Sequence, residues 1–354
     1  MNIKSLLLGS AAALVAVSGA RAADAVVVAE PEPMEYVRVC DTYGAGFYYI
    51  PGTETCLKIG GLVRYQIDWA ENDDEYPPYY DRDEEGGWRK YARIEVSLDA
   101  RSETEYGTLG RYILLRGTTY SGHLAPSYDF DDDWDNSGNV AIQAAVITLG
   151  GLGIGLTDTL YDGDLLGEYD AGGGDRVHFI NYTFDLGNGI SLAGAVEEAD
   201  YNYDYTPNGV AKLTVVQGWG ALTAFAAYDA TAEEWAAKAI AAIKVSDAFT
   251  VNLMGIYNSG ASFYSTGSDW SAAAEVVFKA SDKLNFVLGA QWFGDVFSGA
   301  GDDYAIGAVV NYTIVKDFKA KLAINYKDGD SWDAGNPNYG DGNWSGFLRL
   351  DAGF

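Results

Sequence analysis

Apolar and polar residues alternate with a period of two over several long runs, and nothing else in the chain constrains its fold as strongly. Between Leu57 and Ala70 the odd positions hold Leu57, Ile59, Val63, Tyr65, Ile67 and Trp69, while Lys58, Arg64, Gln66 and Asp68 hold even ones. Between Lys90 and Arg101, Ala92, Ile94, Val96, Leu98 and Ala100 alternate with Arg93, Glu95, Ser97, Asp99 and Arg101. Phe318, Ala320, Leu322, Ile324 and Tyr326 alternate with Lys319, Lys321, Asn325 and Lys327. Successive side chains of a strand point to opposite faces, so each run predicts a strand with one greasy and one wet face. The 26 tyrosines, 14 phenylalanines, 9 tryptophans and 43 glycines, against only 8 prolines, favour the same all-β reading.

The same periodicity, read through the whole chain, predicts sixteen strands, an even number. They lie near 57–70, 89–101, 107–118, 140–149, 152–157, 176–186, 190–199, 210–218, 220–229, 234–245, 249–258, 268–280, 284–293, 303–315, 318–328 and 343–354. The runs 107–118 and 210–218 alternate weakly. The alanine-rich Trp235–Val245 has helical propensity as well, yet Trp235, Ala237, Ala239, Ala241, Ile243 and Val245 keep one apolar face. Short connections at Arg101–Tyr106, Gly187–Gly189, Ser246–Ala248, Ser281–Lys283 and Lys316–Asp317 alternate with long acidic ones. The long ones are Glu71–Trp88, Thr119–Asn139, Asp158–Asp175, Asp200–Gly209 and Gly329–Gly342. Tight turns at one end and long loops at the other are the plan of a closed antiparallel barrel that crosses an outer membrane.

Size decides which face is wet. About eight strands can fill a barrel interior with side chains, whereas sixteen leave an aqueous channel. A sixteen-stranded barrel with an apolar interior would enclose an unfillable hole, so the apolar faces must meet lipid and the polar faces must line water. Closure also pairs the backbone groups that hydrocarbon cannot solvate. Tyr65, Trp69, Trp235, Trp292, Tyr304, Phe318, Tyr326 and Trp344 fall on the apolar face near strand ends, where interfacial girdles belong. The chain closes on Phe354, with Trp344, Leu348, Leu350 and Ala352 on the same face.

Lys4, the apolar run Leu6–Val17 and Ala20-Arg21-Ala22 make residues 1–22 an export leader cleaved near Ala23. Residues 23–56 then form a segment on the periplasmic side, and 57–354 the transmembrane barrel. Cys40 and Cys56 are the chain's two cysteines, and in an oxidising compartment they are expected to pair. A net charge of −28 argues against nucleic acid, whose phosphates need clustered Lys and Arg.

A pore that sieves needs a constriction. Asp158–Asp175 carries Asp158, Asp162, Asp164, Glu168, Asp170 and Asp175, ends on a flexible Gly172-Gly173-Gly174, and has Leu160, Leu165 and Leu166 to pack inward. Arg64, Arg93, Lys321 and Arg349 occupy polar-face positions, Arg93 above mid-height and the others near it. Closure of the last strand on the first makes them neighbours. An acidic loop facing this basic wall would set a transverse field that filters by size and charge. The net acidity predicts a mild cation preference. Catalytic equipment is sparse: His123 and His178 are isolated, and neither a phosphate-cradling loop nor an H-E-x-x-H pair occurs. Asp133, Asp135, Ser137 and Gly138 start like a calcium loop, but Ala144 stands where its closing Glu is needed, so no metal and no cofactor is expected.

Met1–Ala23, Tyr36-Val37-Arg38-Val39-Cys40-Asp41, Ile50-Pro51-Gly52-Thr53-Glu54-Thr55-Cys56-Leu57 and Glu233-Glu234-Trp235-Ala236-Ala237-Lys238 resemble the alphaproteobacterial general porins of the Brucella and rhizobial type. The resemblance runs through the whole chain to Phe354. It implies a sixteen-stranded homotrimeric porin whose third long loop, here Asp158–Asp175, folds into each pore. The implied activity is passive diffusion of small hydrophilic solutes across the bacterial outer membrane, among its lipid and lipopolysaccharide. A substrate-specific channel and an adhesive or structural surface barrel are the alternatives.

Overall fold

The computed structural model describes residues 38–70, 87–120, 140–199, 206–297, 299, 301–330 and 342–354. The expected leader, His123, the Asp133–Gly138 stretch and most of four expected long connections lie outside the described residues. Met1–Arg38 and Val39–Phe354 are separate units, and the second is the one described below.

Among the described residues seventeen strands follow one another. After the two-residue β1 (Tyr48–Tyr49) come β2 (Cys56–Ala70), β3 (Gly87–Thr104), β4 (Gly107–Tyr120), β5 (Val140–Leu149), β6 (Leu152–Asp158), β7 (Arg176–Gly187), β8 (Ile190–Glu198) and β9 (Asn208–Gln217). The second half holds β10 (Gly220–Asp229), β11 (Glu234–Lys244), β12 (Phe249–Asn258), β13 (Ser268–Lys279), β14 (Leu284–Val296), β15 (Asp303–Val315), β16 (Phe318–Gly329) and β17 (Asn343–Gly353). Each of β2 to β17 pairs antiparallel with its sequence neighbours, and β17 returns to pair with β2, with Leu350 opposite Tyr65. The barrel is therefore closed with sixteen strands and no free edge. The helical alternative for Trp235–Val245 loses to the ladder that β10 and β12 offer on either side.

The short-turn end is built from residues that tolerate left-handed backbone. Asn188 (φ 53°) and Asp317 (φ 61°) sit in the β7–β8 and β15–β16 turns, where a short polar side chain accepts that conformation most readily. The outward positions are greasy: Ile59, Val63 and Tyr65 of β2 are roughly half exposed, as are Leu348 of β17 and Leu288 of β14. Aromatic rings gather at both rims. At the long-loop end Trp292, Tyr304, Tyr326 and Trp344 run ring to ring with centroids 5.8, 6.2 and 4.9 Å apart. At the short-turn end Phe249, Phe278 and Phe286 stack at 4.8 and 6.3 Å. Two belts separated by an aliphatic band match the two interfaces of a bilayer.

Gly61 explains how the terminus seats. It exchanges backbone hydrogen bonds with Phe354, and a Cβ at Gly61 would strike both the Glu95 carbonyl and the Phe354 ring, so glycine lets strand and aromatic approach closely there. Cys40 and Cys56 are bonded, as expected, and tie residues 40–56 into a small hairpin against the start of β2. Phe47 fills it, with the Arg101 guanidinium 5.3 Å from its ring.

Candidate constriction inside the barrel

The segment between β6 and β7 turns inward and is held by the inner wall from β8 round to β17. Glu197 of β8, almost fully buried, accepts the Thr159 hydroxyl, the Leu160 N–H at 2.7 Å and the Tyr264 hydroxyl at 3.1 Å. Lys238 of β11 donates to the carbonyls of Gly163 and Gly172 at 2.8 and 2.9 Å. Glu275 of β13 accepts from Leu166 N and Gly167 N at 3.1 and 3.0 Å, and is steadied by Asn252 Nδ2 at 2.6 Å. Gln291 of β14 pairs both ways with Ala171, accepting its N–H at 2.7 Å and donating to its carbonyl at 3.0 Å. On β16, Asn325 donates to the Glu168 carbonyl at 3.0 Å.

Packing supplements this grip. Tyr169, 1 % exposed, lies over the backbone of Gly289 and Gly307, whose missing side chains leave the space its ring fills. Beneath it Val287, Val309, Ala323 and Phe347 form an apolar patch on the inner wall. Near the loop's base Tyr161 and Tyr264 meet edge to face at 5.4 Å, with Phe225 5.8 Å from Tyr161. A second connection, between β12 and β13, folds in as well: Phe263 N donates to Asp229 at 2.8 Å.

The expected basic residues divide into two groups. Lys321 and Arg349 meet the loop itself, their nitrogens 2.5 and 3.5 Å from Glu168 Oε1. They do not stand off from it across a gap. Arg64 and Arg93 are cross-strand partners on β2 and β3. Arg64 is ion-paired with Asp351 at 2.6 Å, and Arg93 donates to Thr118 Oγ1 at 3.2 Å and stacks over Tyr91. The neighbouring Arg116 pairs with Glu95 at 2.7 Å and Arg89 with Asp68 at 3.0 Å.

The six acids of the loop also play different parts. Glu168 at the tip reaches the basic strands. Asp170 accepts the Leu165 N–H at 2.7 Å and stiffens the bend; burial pushes its carboxyl up to about 6. Asp175 accepts the Arg176 N–H at 2.7 Å, and Asp158 ends β6 opposite Arg176 in the ladder. Asp162 and Asp164 flank Gly163 and share the field of Lys238. Glu197, Lys238, Glu275, Gln291 and Asn325 escaped sequence reasoning. Their one signal was a long polar side chain at an inward position among small or apolar neighbours. His178 lies on β7, and no group of three or more His, Cys, Asp or Glu suited to a metal occurs among the described residues.

Comparison with known proteins agrees with this architecture. A family model described as "Porin subfamily" matches residues 24–347. Porin Omp2a of Brucella melitensis biotype 1 is 41% identical over 384 residues, covering all of both chains. Porin Omp2b of Brucella abortus is 38% identical over 396 residues, again covering both in full. Among solved structures, the outer membrane channel DcaP of Acinetobacter baumannii shares the fold with a TM-score of 0.65 at 17% identity, covering 86% of this chain and 99% of its own. OprB of Pseudomonas putida gives 0.58 at 8% identity, over 84% and 94%.

Proposed function

The chain belongs to the porin subfamily, and from that premise we propose that it passes small hydrophilic solutes and ions passively, sieving them where the Asp158–Asp175 loop narrows the lumen. It is an outer-membrane porin channel, a barrel that crosses the bacterial outer membrane many times. The observation that carries the finer reading is the Glu168 tip, bonded to Lys321 and Arg349 after the loop has crossed from β6 to the far seam of the wall. A loop so placed reduces the free cross-section for everything that passes.

On the wall side Arg64 and Arg116 each have a carboxylate partner on a neighbouring strand, while Lys321 and Arg349 share the single carboxylate of the loop's Glu168. On the loop side Asp162 and Asp164 face Lys238, whose donors already serve two carbonyls, and Asp162 also faces Lys212. The six acids of the loop, within a chain of net charge −28, support a mild cation preference. A homotrimer is supported by the outer face of β3 and β4, where Lys90 and Arg111 stand in register with the outward Ile67 and Ala100. Charged groups on a lipid face are destabilising, and a neighbouring copy would cover them.

The test is single-channel conductance in planar bilayers with graded neutral polymers added. The proposal expects stable open channels, a sharp polymer cut-off, and a larger cut-off once Leu165–Ala171 is deleted. Barrels that insert without conducting, or a cut-off indifferent to the deletion, would overturn it.

A further inference from the structure

We infer that Lys238 is a positioning residue that clamps the neck of the constriction loop against the barrel wall and thereby sets the steadiness, width and ion preference of the pore. The inference rests on the sieving role given to the loop. Lys238 bonds to Gly163 on the inbound limb and to Gly172 on the outbound limb, so one ammonium ties both limbs together and to β11. Its nitrogen lies 4.3 Å from the Tyr161 ring centroid and 4.8 Å from that of Phe225, and the residue is 2% exposed. The charged groups that face it are Asp162, Asp164, Asp170 and the second lysine, Lys212.

No neighbour on β11 can substitute: Ala236, Ile240 and Ala242 carry no donor, and Lys244, at the far end of the strand, is paired with Asp247. Without the ammonium, the buried Gly172 carbonyl and the part-buried Gly163 carbonyl would lose their partner, and such groups are costly to leave unmet. Wall lies behind them and the water-filled lumen in front, so the neck would regain hydrogen bonds only by lifting off the wall into the channel. The tip would stay anchored through Glu275, Gln291 and Glu168. A hinged neck on a fixed tip flickers, and Asp164 and Asp170 would lose the ammonium they face, Lys212 remaining beside Asp162.

The experiment compares wild type, Lys238→Met, Lys238→Gln, Lys238→Arg and a Leu165–Ala171 deletion as purified channels in planar bilayers, each first tested for its folded mobility in detergent. Lys238→Met is expected to lower mean conductance by about 1.5-fold, to add brief closures, and to move the reversal potential toward greater cation preference. Lys238→Arg, with charge and donors retained, keeps quiet channels and the original reversal potential. A role confined to stability would lower the unfolding temperature of Lys238→Met and leave its currents unchanged, which overturns the clamp. Failure of Lys238→Met and of Lys238→Gln to fold would also overturn it, because the residue would then serve the barrel and not the loop. The deletion separates the two ideas. If the deletion widens the pore while Lys238→Met stays silent, the clamp alone fails; if the deletion changes nothing, the loop is not the constriction.

Discussion

Lys321 Nζ lies 2.5 Å from Glu168 Oε1, so the tip of the inward loop and a strand near the barrel's seam are joined by an ion pair inside the lumen. Arg349 shares the same carboxylate at 3.5 Å. Both pairs remain partly exposed to the channel's water, and exposed pairs contribute about 1 kcal/mol or less to stability. Their consequence is electrostatic. Glu168→Gln removes one negative charge and releases two positive ones at the narrowing, so anion permeability should rise with the barrel's thermal stability almost unchanged. Reversal potentials measured across a salt gradient report this, and identical values for variant and wild type would place Glu168 away from the ion path.

Tyr169 is a wedge whose slot is made of absences. A Cβ at Gly307 would stand 2.7 Å from the Tyr169 ring and 2.5 Å from Asn325 Oδ1, well inside contact distance. Gly307→Ala should therefore push the ring out, an overpacking cost of about 1–3 kcal/mol. Tyr169→Ala empties the slot and should cost about 3 kcal/mol or more. The two changes act on one contact, so the double variant should lose clearly less than their sum. Urea titration of the four proteins in a double-mutant cycle checks it; strict additivity would show that ring and glycine do not meet.

The barrel was legible because period two is a local property, written residue by residue in stretches such as Leu57–Trp69 and Phe318–Tyr326. Strand ends moved by only a few positions, as where β3 extends to Gly87 and Thr104 and β14 to Val296. β1 left no trace, since Tyr48–Tyr49 is too short to alternate and exists only because the Cys40–Cys56 bond lays it beside β2. The loop's position between β6 and β7 and its acidity were readable too. What holds it was not: Glu197, Lys238, Glu275 and Gln291 converge only after closure brings distant strands round one lumen, and each looked like an ordinary polar residue in its own strand. Arg64 shows the same limit, for its partner Asp351 is 287 positions away.

The Cys40–Cys56 bond closes a segment of sequence separation 16, for which chain entropy predicts about 3 kcal/mol. That stabilisation should be local. The hairpin packs on the wall through Phe47 and through the Tyr43 hydroxyl, 2.7 Å from Glu103, whereas the sixteen strands hold each other by closure. A Cys40→Ser, Cys56→Ser variant should keep its unfolding temperature and conductance but lose hydrogen-exchange protection at Cys40 N and Ile50 N, which bond to Phe47 O and Thr55 O. A fall in the unfolding temperature of the whole barrel would show instead that the hairpin helps close it.

Asp170 links the loop's stability to pH. Its carboxyl is raised to about 6, chiefly by burial, against an ordinary 3.8; the Leu165 N–H opposes the shift and the nearby Asp164 adds to it. Between those two values the folded loop binds more protons than the unfolded one, so stability falls as pH rises. The contribution is complete below the unfolded value and lost as pH climbs through about 6. Amides of Leu165, Leu166 and Gly167 should accordingly show higher protection factors near about pH 4 than near about pH 7.5, after correction for intrinsic exchange. Asp170→Asn carries no proton to release and should abolish the step while the amides of the strand ladder keep theirs. A loop whose protection rises with pH, or a step that survives in Asp170→Asn, would assign the titration to another group.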